Sequence, residues 1–310
     1  MHDYKSLGFV GLGVMGEPMC KNLVRKSALP VHVFDMNNDA VGRVVETGGI
    51  AAKSARSVAE NADVVFLSLP SIDQVETVTR QMLGASAKPR MIVDMSTSDV
   101  ARTRALAREV NAAGVAYVDA PVARTAEAAQ KGTLMISVGG DERDFTALKP
   151  LLDCMGSDVL HCGPLGSGQI LKILNNMMVF MTVNALSEVL TIGRRAGMDG
   201  EKLLQLLSQG SGDSFALRNH GMKSLVKDQF PEKVFPTVYA IKDASLALAL
   251  AKEGGFQPRI AQYTYDMLCH TRDAGYAQNY HPAVIQLIDG RVKVAATGPT
   301  VAASGTAAAA

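Results

Sequence analysis

The stretch Gly8-Phe9-Val10-Gly11-Leu12-Gly13-Val14-Met15-Gly16-Glu17-Pro18-Met19 decides how the rest of the chain is read. Its first residues form a short apolar strand, and Gly11, Gly13 and Gly16 follow at the G-x-G-x-x-G spacing of a dinucleotide fingerprint. Gly11 permits a sharp turn. Gly13 lets the backbone approach a pyrophosphate with no Cβ in the way, and Gly16 lets the following helix pack tightly on the strand. The first amides of that helix, with Leu12, Val14 and Met15 in the loop, then face the phosphates. A glycine triplet alone is a weak signal in a chain with 28 glycines. Its setting strengthens it, because a second strand, Val31-His32-Val33-Phe34, ends in Asp35, nineteen positions after Gly16. A carboxylate there accepts hydrogen bonds from both hydroxyls of an adenosine ribose and repels a 2′-phosphate, so the expected cofactor is NAD rather than NADP.

Working outward, apolar runs at Val64–Leu69, Met91–Met95, Ala116–Ala120, Thr133–Gly139 and Val159–His161 alternate with helical segments at 40–47, 54–61, 72–82 and 99–113. Continuous apolar runs suit strands covered on both faces. The alternation predicts an α/β Rossmann domain, a doubly wound and mostly parallel sheet, over residues 1–165. Ligands of such sheets gather at the carboxyl ends of the strands, where Pro70, Thr97 and Pro121 lie. From Gly166 the texture changes. One helix spans roughly 168–195, others follow at 200–208, 214–219, 237–253, 262–274 and 282–288, and no strand is expected among them. Residues 166–290 therefore read as an all-α domain for substrate and dimerisation. The tail 291–310, rich in Ala, Gly, Ser and Thr, has little to bury and is expected to be disordered.

Composition excludes several classes. A net charge of +1 gives no electrostatic footprint for nucleic acid or an anionic membrane. Cys20, Cys154, Cys162 and Cys269 lack C-x-x-C spacing and the six histidines lack ligand spacing, so no metal site is expected. Scattered cysteines fit a reduced, cytoplasmic setting. The N-terminus reaches its first strand too soon for a signal peptide. The apolar stretch 173–193 is interrupted by Asn175, Asn176, Asn184, Ser187 and Glu188, which reads as a buried helix of a soluble protein rather than a membrane span. The whole helix is longer than one small domain needs, so it joins the two domains or packs against a second subunit, and a homodimer or homotetramer is expected.

Within the long helix, Lys172 and Asn176 are four residues apart and share one face. A lysine in an apolar helix needs a task or a partner, or else its stem packs while its head reaches water. In a partly desolvated setting it is suited to proton exchange near neutral pH. Spacing alone does not choose between these readings.

Four motifs taken together do. The glycine stretch above, Asp119-Ala120-Pro121-Val122 with Gly132-Thr133-Leu134, Gly166-Ser167-Gly168-Gln169 with Lys172 and Asn175-Asn176, and Lys242-Asp243 resemble the β-hydroxyacid dehydrogenases over nearly the whole chain. That resemblance implies NAD(P)-dependent interconversion of a small β-hydroxy acid and its semialdehyde. It makes Lys172 the general acid/base, with Asn176 and Asn175 holding lysine or substrate. Lys242 would close on the cofactor, while Leu69, Pro70, Gln74 and Thr97 would lie along its diphosphate and nicotinamide ribose. The sequence departs from the family at one place. Many members follow Asp-Ala-Pro-Val with Ser-Gly-Gly, and here Ala123-Arg124-Thr125 stands instead. A guanidinium at 124 can grip a carboxylate or sulfonate in a forked pair, so Val122, Ala123, Arg124 and Thr125 are the expected substrate-anion segment. A similar Arg-Thr pair occurs in sulfolactaldehyde reductases, which makes a C3 sulfonate an alternative substrate. Imine reductases share the architecture but carry another residue in place of this lysine. A catalytically silent NAD-binding module is the rival from another class.

Overall fold

A computed structural model describes residues 4–232 and 234–293. Backbone contacts divide the chain into two units, 4–177 with 246–257, and 178–245 with 258–293.

The first unit is built on a nine-stranded sheet. Strands β1 (Leu7–Val10), β2 (Val31–Phe34), β3 (Ile50–Ala51), β4 (Val64–Leu67), β5 (Met91–Asp94) and β6 (Ala116–Asp119) lie in the order 3-2-1-4-5-6, all parallel. The strand order reverses between β1 and β4, which is the switch point where doubly wound sheets take ligands. Helices α1 (Gly16–Lys26), α2 (Asn38–Val45), α3 (Ala55–Glu60), α4 (Ile72–Leu83) and α5 (Val100–Ala112) make the crossovers. Their starts are written in the sequence, because Asn37, Ser54, Ser71 and Asp99 each accept a backbone N–H of the first turn. The side chains of the central strands β1, β4 and β5 are all buried, as expected for strands with helices on both faces, and they contribute to two cores. Register aligns Phe34, Val10, Leu67, Asp94 and Asp119 along one carboxyl edge.

Past that edge the sheet departs from the parallel pattern. Strand β7 (Val122–Ala123) and β6 both pair antiparallel with β8 (Leu134–Gly139), in one register: Asp119 opposes Gly139, Val122 opposes Ile136, and Ala123 opposes Met135. The chain from 116 to 123 is therefore one extended run that carries the expected substrate segment above the edge. Helices α6 (Ala126–Lys131) and α7 (Glu142–Leu152) flank β8, and β9 (Gly156–Gly163) runs parallel to it. The first unit also holds the start of α8 (Ser167–Arg195) and the end of α10 (Thr237–Glu253), where Ile173 packs with Val100 and Ala247.

The second unit is helical among the described residues. Besides the rest of α8 and α10 it contains α9 (Gly200–Leu207), α11 (Arg259–Thr271) and α12 (Ile285–Ile288). The expected helix at 214–219 is instead a wide π-turned segment, Leu217–Leu225, and α11 ends in a second one, Arg272–Tyr276. Among the described residues two isolated bridges, Glu232–Asn279 and Pro236–Tyr280, add extended pairing. Its core joins Val183, Leu186 and Leu190 of α8 to Leu204, Leu217 and Ile285.

The polar residues of α8 turn back on their own helix. Asn184 donates to the carbonyl of Phe180, Ser187 to Val183 and Thr191 to Ser187. Glu188 is exposed, and the Tyr263 hydroxyl donates to it at 3.5 Å. By length and composition α8 passes as a membrane span, and 44 % of its most apolar stretch is buried within this chain. The expected tail begins at Arg291, which is held by ion pairs to Asp228 and Asp289. The rest of it, 294–310, lies outside the described residues.

Candidate active site

The glycine turn after β1 has the geometry its spacing predicts. Gly11 has φ +96°, and a Cβ there would run into the Ser68 carbonyl. A Cβ on Gly16 would run into the Gly11 carbonyl, whereas around Gly13 nothing lies within 4 Å of where a Cβ would be. The turn is closed against its own strand and open toward solvent at Gly13. Met15 caps α1 with no side-chain hydrogen bond, so no side chain competes for the first-turn amides. Asp35 leans over the loop, its Oδ2 accepting from Leu12 N at 2.6 Å and its Oδ1 from Asn37 N at 2.7 Å. Arg43, at the end of α2, is occupied by Glu17 in a forked pair. An open glycine turn with a carboxylate beside it fits a nicotinamide dinucleotide.

Further along the edge, Leu69 donates its N–H to Ser96 Oγ at 2.9 Å. Pro70 is exposed, as is Gln74, whose Oε1 accepts the Ser71 hydroxyl. Thr97 lies half-buried between two buried serines, Ser96 and Ser98. Ser96 N and Ser98 Oγ both donate to Asp94, at 2.9 and 3.0 Å. Burial raises the carboxyl pKa of Asp94. Its neighbour in register, Asp119, is pushed up to about 6, chiefly by burial, against two backbone amides that favour its charged form.

Those amides belong to the start of α8. Gly166 N donates to Asp119 Oδ1 at 2.7 Å and Gln169 N to Oδ2 at 2.8 Å. Gly166, at φ +90°, has no side chain to cap its own helix, and the sheet supplies the cap. One turn on, Lys172 is half-buried and its Nζ donates to Asn176 Oδ1 at 3.2 Å. Asn175 Nδ2 donates to the same oxygen at 3.3 Å. Asn176 thus orients the ammonium.

The substrate segment holds a surprise. Arg124 sits at φ +87°, a left-handed conformation that favours glycine. Its guanidinium donates to the Thr133 carbonyl at 2.8 Å and to Ser157 Oγ at 2.9 Å, and pairs with Asp158 at 2.7 Å. Val122 and Ala123 are buried in β7, and the Thr125 hydroxyl caps α6. The structure therefore places the Arg124 head against a carboxylate of its own chain, a partner 34 residues away that local reading missed. Lys242 lies in the second unit, where it pairs with Asp243 at 3.2 Å. The roles of Asp119 and Gln169 were also missed, although both stand inside motifs quoted above.

Two family models match. Residues 6–163 match the NAD-binding domain of 6-phosphogluconate dehydrogenase. Residues 166–288 match the domain described as NAD-binding of NADP-dependent 3-hydroxyisobutyrate dehydrogenase. The chain is 34 % identical over 293 residues to the mitochondrial 3-hydroxyisobutyrate dehydrogenase of Rattus norvegicus, covering 91 % of this chain and 86 % of that one. It is 36 % identical over 288 residues to the 2-hydroxy-3-oxopropionate reductase of Escherichia coli (strain K12), covering 91 % and 97 %. Among solved structures, Mycobacterium tuberculosis 3-hydroxyisobutyrate dehydrogenase with L-serine superposes with a TM-score of 0.85 at 28 % identity, covering 93 % and 99 %. With the glycine cradle, the Asp119 motif and the Lys172 helix in place, these matches show that the chain is an NAD(P)-binding oxidoreductase of the β-hydroxyacid dehydrogenase family.

Proposed function

We propose that this enzyme interconverts a small, anionic β-hydroxy acid and its semialdehyde, with Lys172 as general acid/base. The observation that carries this is Lys172 itself, set one turn from a sheet-capped helix start with its ammonium oriented by Asn176. Bound NAD supplies the hydride acceptor. As the C–H electron pair leaves the substrate carbon, the Lys172 amine takes the hydroxyl proton and the carbon–oxygen double bond forms. In reduction the ammonium stabilises the developing alkoxide and returns the proton to it. Asn176 and Asn175 keep the amine and the substrate oxygen in line, and Lys242 is assigned to the cofactor by its place in the family motif.

The substrate anion meets the Val122–Thr125 segment, where Arg124 exchanges Asp158 for it. An exposed ion pair is worth at most about 1 kcal/mol, so this exchange costs little. A carboxylate is the favoured anion, and a C3 sulfonate fits the same fork. NAD is preferred over NADP by at least tenfold, ~1.4 kcal/mol, because Asp35 faces the ribose position and Arg43 is already paired. Four free thiols support a reducing, cytoplasmic setting. Exposed Met178, Val189 and Ile192 on α8 support assembly into at least a dimer.

The test is a steady-state screen with NAD and NADP against 3-hydroxyisobutyrate, D- and L-glycerate, 3-hydroxypropionate, threonate and 2,3-dihydroxypropanesulfonate. Lys172→Ala is assayed beside it. One acid should stand out, and the variant should lose turnover while still binding NADH. Retained turnover in Lys172→Ala would overturn the reading, and no turnover on any acid or its semialdehyde would favour a silent NAD-binding module.

A further inference from the structure

Gln169 is completely buried, yet it is the most polar residue of the first turn of α8. Its carboxamide is used at both ends. Nε2 donates to the Ser96 carbonyl at 2.8 Å, and Oε1 accepts from Ser98 N at 2.9 Å. These two backbone groups flank Thr97, so the carboxamide brackets the loop that follows β5. The same residue's own N–H donates to Asp119, whose other oxygen takes Gly166 N. Gln169 and Lys172 are three apart on one helix and share a face. There is no slack at this junction. A Cβ on Gly168 would run into the Ser137 carbonyl, and one on Gly139 would run into the Asp119 carboxylate.

We propose that Gln169 and Asp119 are positioning residues for proton transfer, fixing the turn of α8 that presents Lys172 against the loop carrying Thr97. Asp119 sets where the helix starts relative to the sheet edge. Gln169 sets how far that turn stands from the loop after β5. Ser96 extends the tie through its hydroxyl to Leu69 N, so three segments expected around the cofactor share one hydrogen-bonded frame. This rests on the assignment of Lys172 as the acid/base group. An apolar contact could hold a helix on a sheet equally well, but it would fix neither its axial position nor its rotation, and a carboxamide bonded at both ends fixes both.

The test compares Gln169→Met, Asp119→Asn and Lys172→Ala with the parent, using D-glycerate or 3-hydroxyisobutyrate, whichever turns over faster, and NAD. Gln169→Met keeps length and volume and removes both loop bonds, while Asp119→Asn puts a donor against one of two amide donors. Both should bind NADH within twofold of the parent and lose at least tenfold in kcat, since misplacement by about 1 Å costs on the order of 100-fold. The solvent deuterium isotope effect on kcat should rise, because proton transfer becomes the slow step. A smaller population of correctly folded molecules would lower kcat and leave that isotope effect unchanged, which would overturn the proposal. So would parental kcat in both variants. Should Gln169→Met not fold, Gln169→Glu, which turns one arm of the clamp against the Ser96 carbonyl, carries the same expectation. If Lys172→Ala retains turnover, the reading of the enzyme fails. If only Lys172→Ala is impaired, that reading stands and this inference falls.

Discussion

Replacing Arg124 with glycine separates two roles that one side chain can play. On the stability side, the left-handed backbone at 124 costs an arginine about 1 kcal/mol relative to glycine, and the substitution recovers that. Lost in return are two hydrogen bonds, to the Thr133 carbonyl and Ser157, at about 1 kcal/mol each. The exposed Asp158 pair adds no more than about 1 kcal/mol. The net is a destabilisation of roughly 1–2 kcal/mol, readable as a shift in urea midpoint. On the binding side, a charge-assisted hydrogen bond to the substrate anion is worth about 1.5–3 kcal/mol, so KM for the best hydroxy acid should rise on the order of 10- to 100-fold. A neutral diol such as 1,3-propanediol should be used no worse than before. Asp158→Asn should do the opposite, freeing the guanidinium and lowering KM by up to about fivefold. If Arg124→Gly leaves KM within twofold while the protein loses stability, Arg124 is a structural pin. The anion is then held by other groups, and the exchange of Asp158 for substrate is refuted.

Asp35→Ala should erase the preference for NAD over NADP, chiefly by weakening NAD, which dinucleotide titrations would show; an unchanged ratio contradicts the ribose assignment. In the second unit, burial lowers the pKa of His220 to about 4 and also that of His281, which packs beside it. The unfolded chain binds more protons between pH 6.5 and 4, so stability present above 6.5 is lost as pH falls through that window. His281→Phe should flatten the loss in urea melts taken across those pH values. Asp119 has the opposite sign: with its carboxyl raised to about 6, the folded state holds the extra proton between pH 4 and 6. Stability there declines as pH rises, and Asp119→Asn should remove the decline. Ile192→Glu should shift the protein to a smaller species in light scattering, and an unchanged mass would place the subunit contact elsewhere.

Much of this was legible in the chain because it is local. The turn at Gly11, Gly13 and Gly16 and the carboxylate nineteen positions on are decided by neighbours a few residues away. The apolar runs announced five parallel strands for the same reason. What escaped depends on distant partners or weak patterns. Strand β3 is two exposed residues, Ile50 and Ala51, with no apolar run to mark them. The helix expected at 214–219 becomes a π-turned segment beginning at Leu217, whose buried Gly221 lets Leu204 pack against it, a constraint set by α9. The Arg124–Asp158 pair and the Gln169 clamp join residues 34 and about 72 positions apart, and nothing in either neighbourhood names the other.

The run from Ala116 to Ala123 has a consequence for how this scaffold can change. Because Val122 and Ala123 pair with β8 in the same register as Asp119, the first half of the substrate segment is strand, whose side chains alternate between two faces, and the chain turns out of it at Arg124. Inserting or deleting one residue between Asp119 and Val122 would break that shared register, exchanging the faces that buried Val122 and Ala123 occupy and shifting the turn at Arg124 along β8. New substrates are therefore reachable on this frame by exchanging side chains at 123, 124 and 125, while changes of length are closed to it. Natural variation among such enzymes should then be sought in the letters of this segment, and its spacing from the aspartate should behave as a constant.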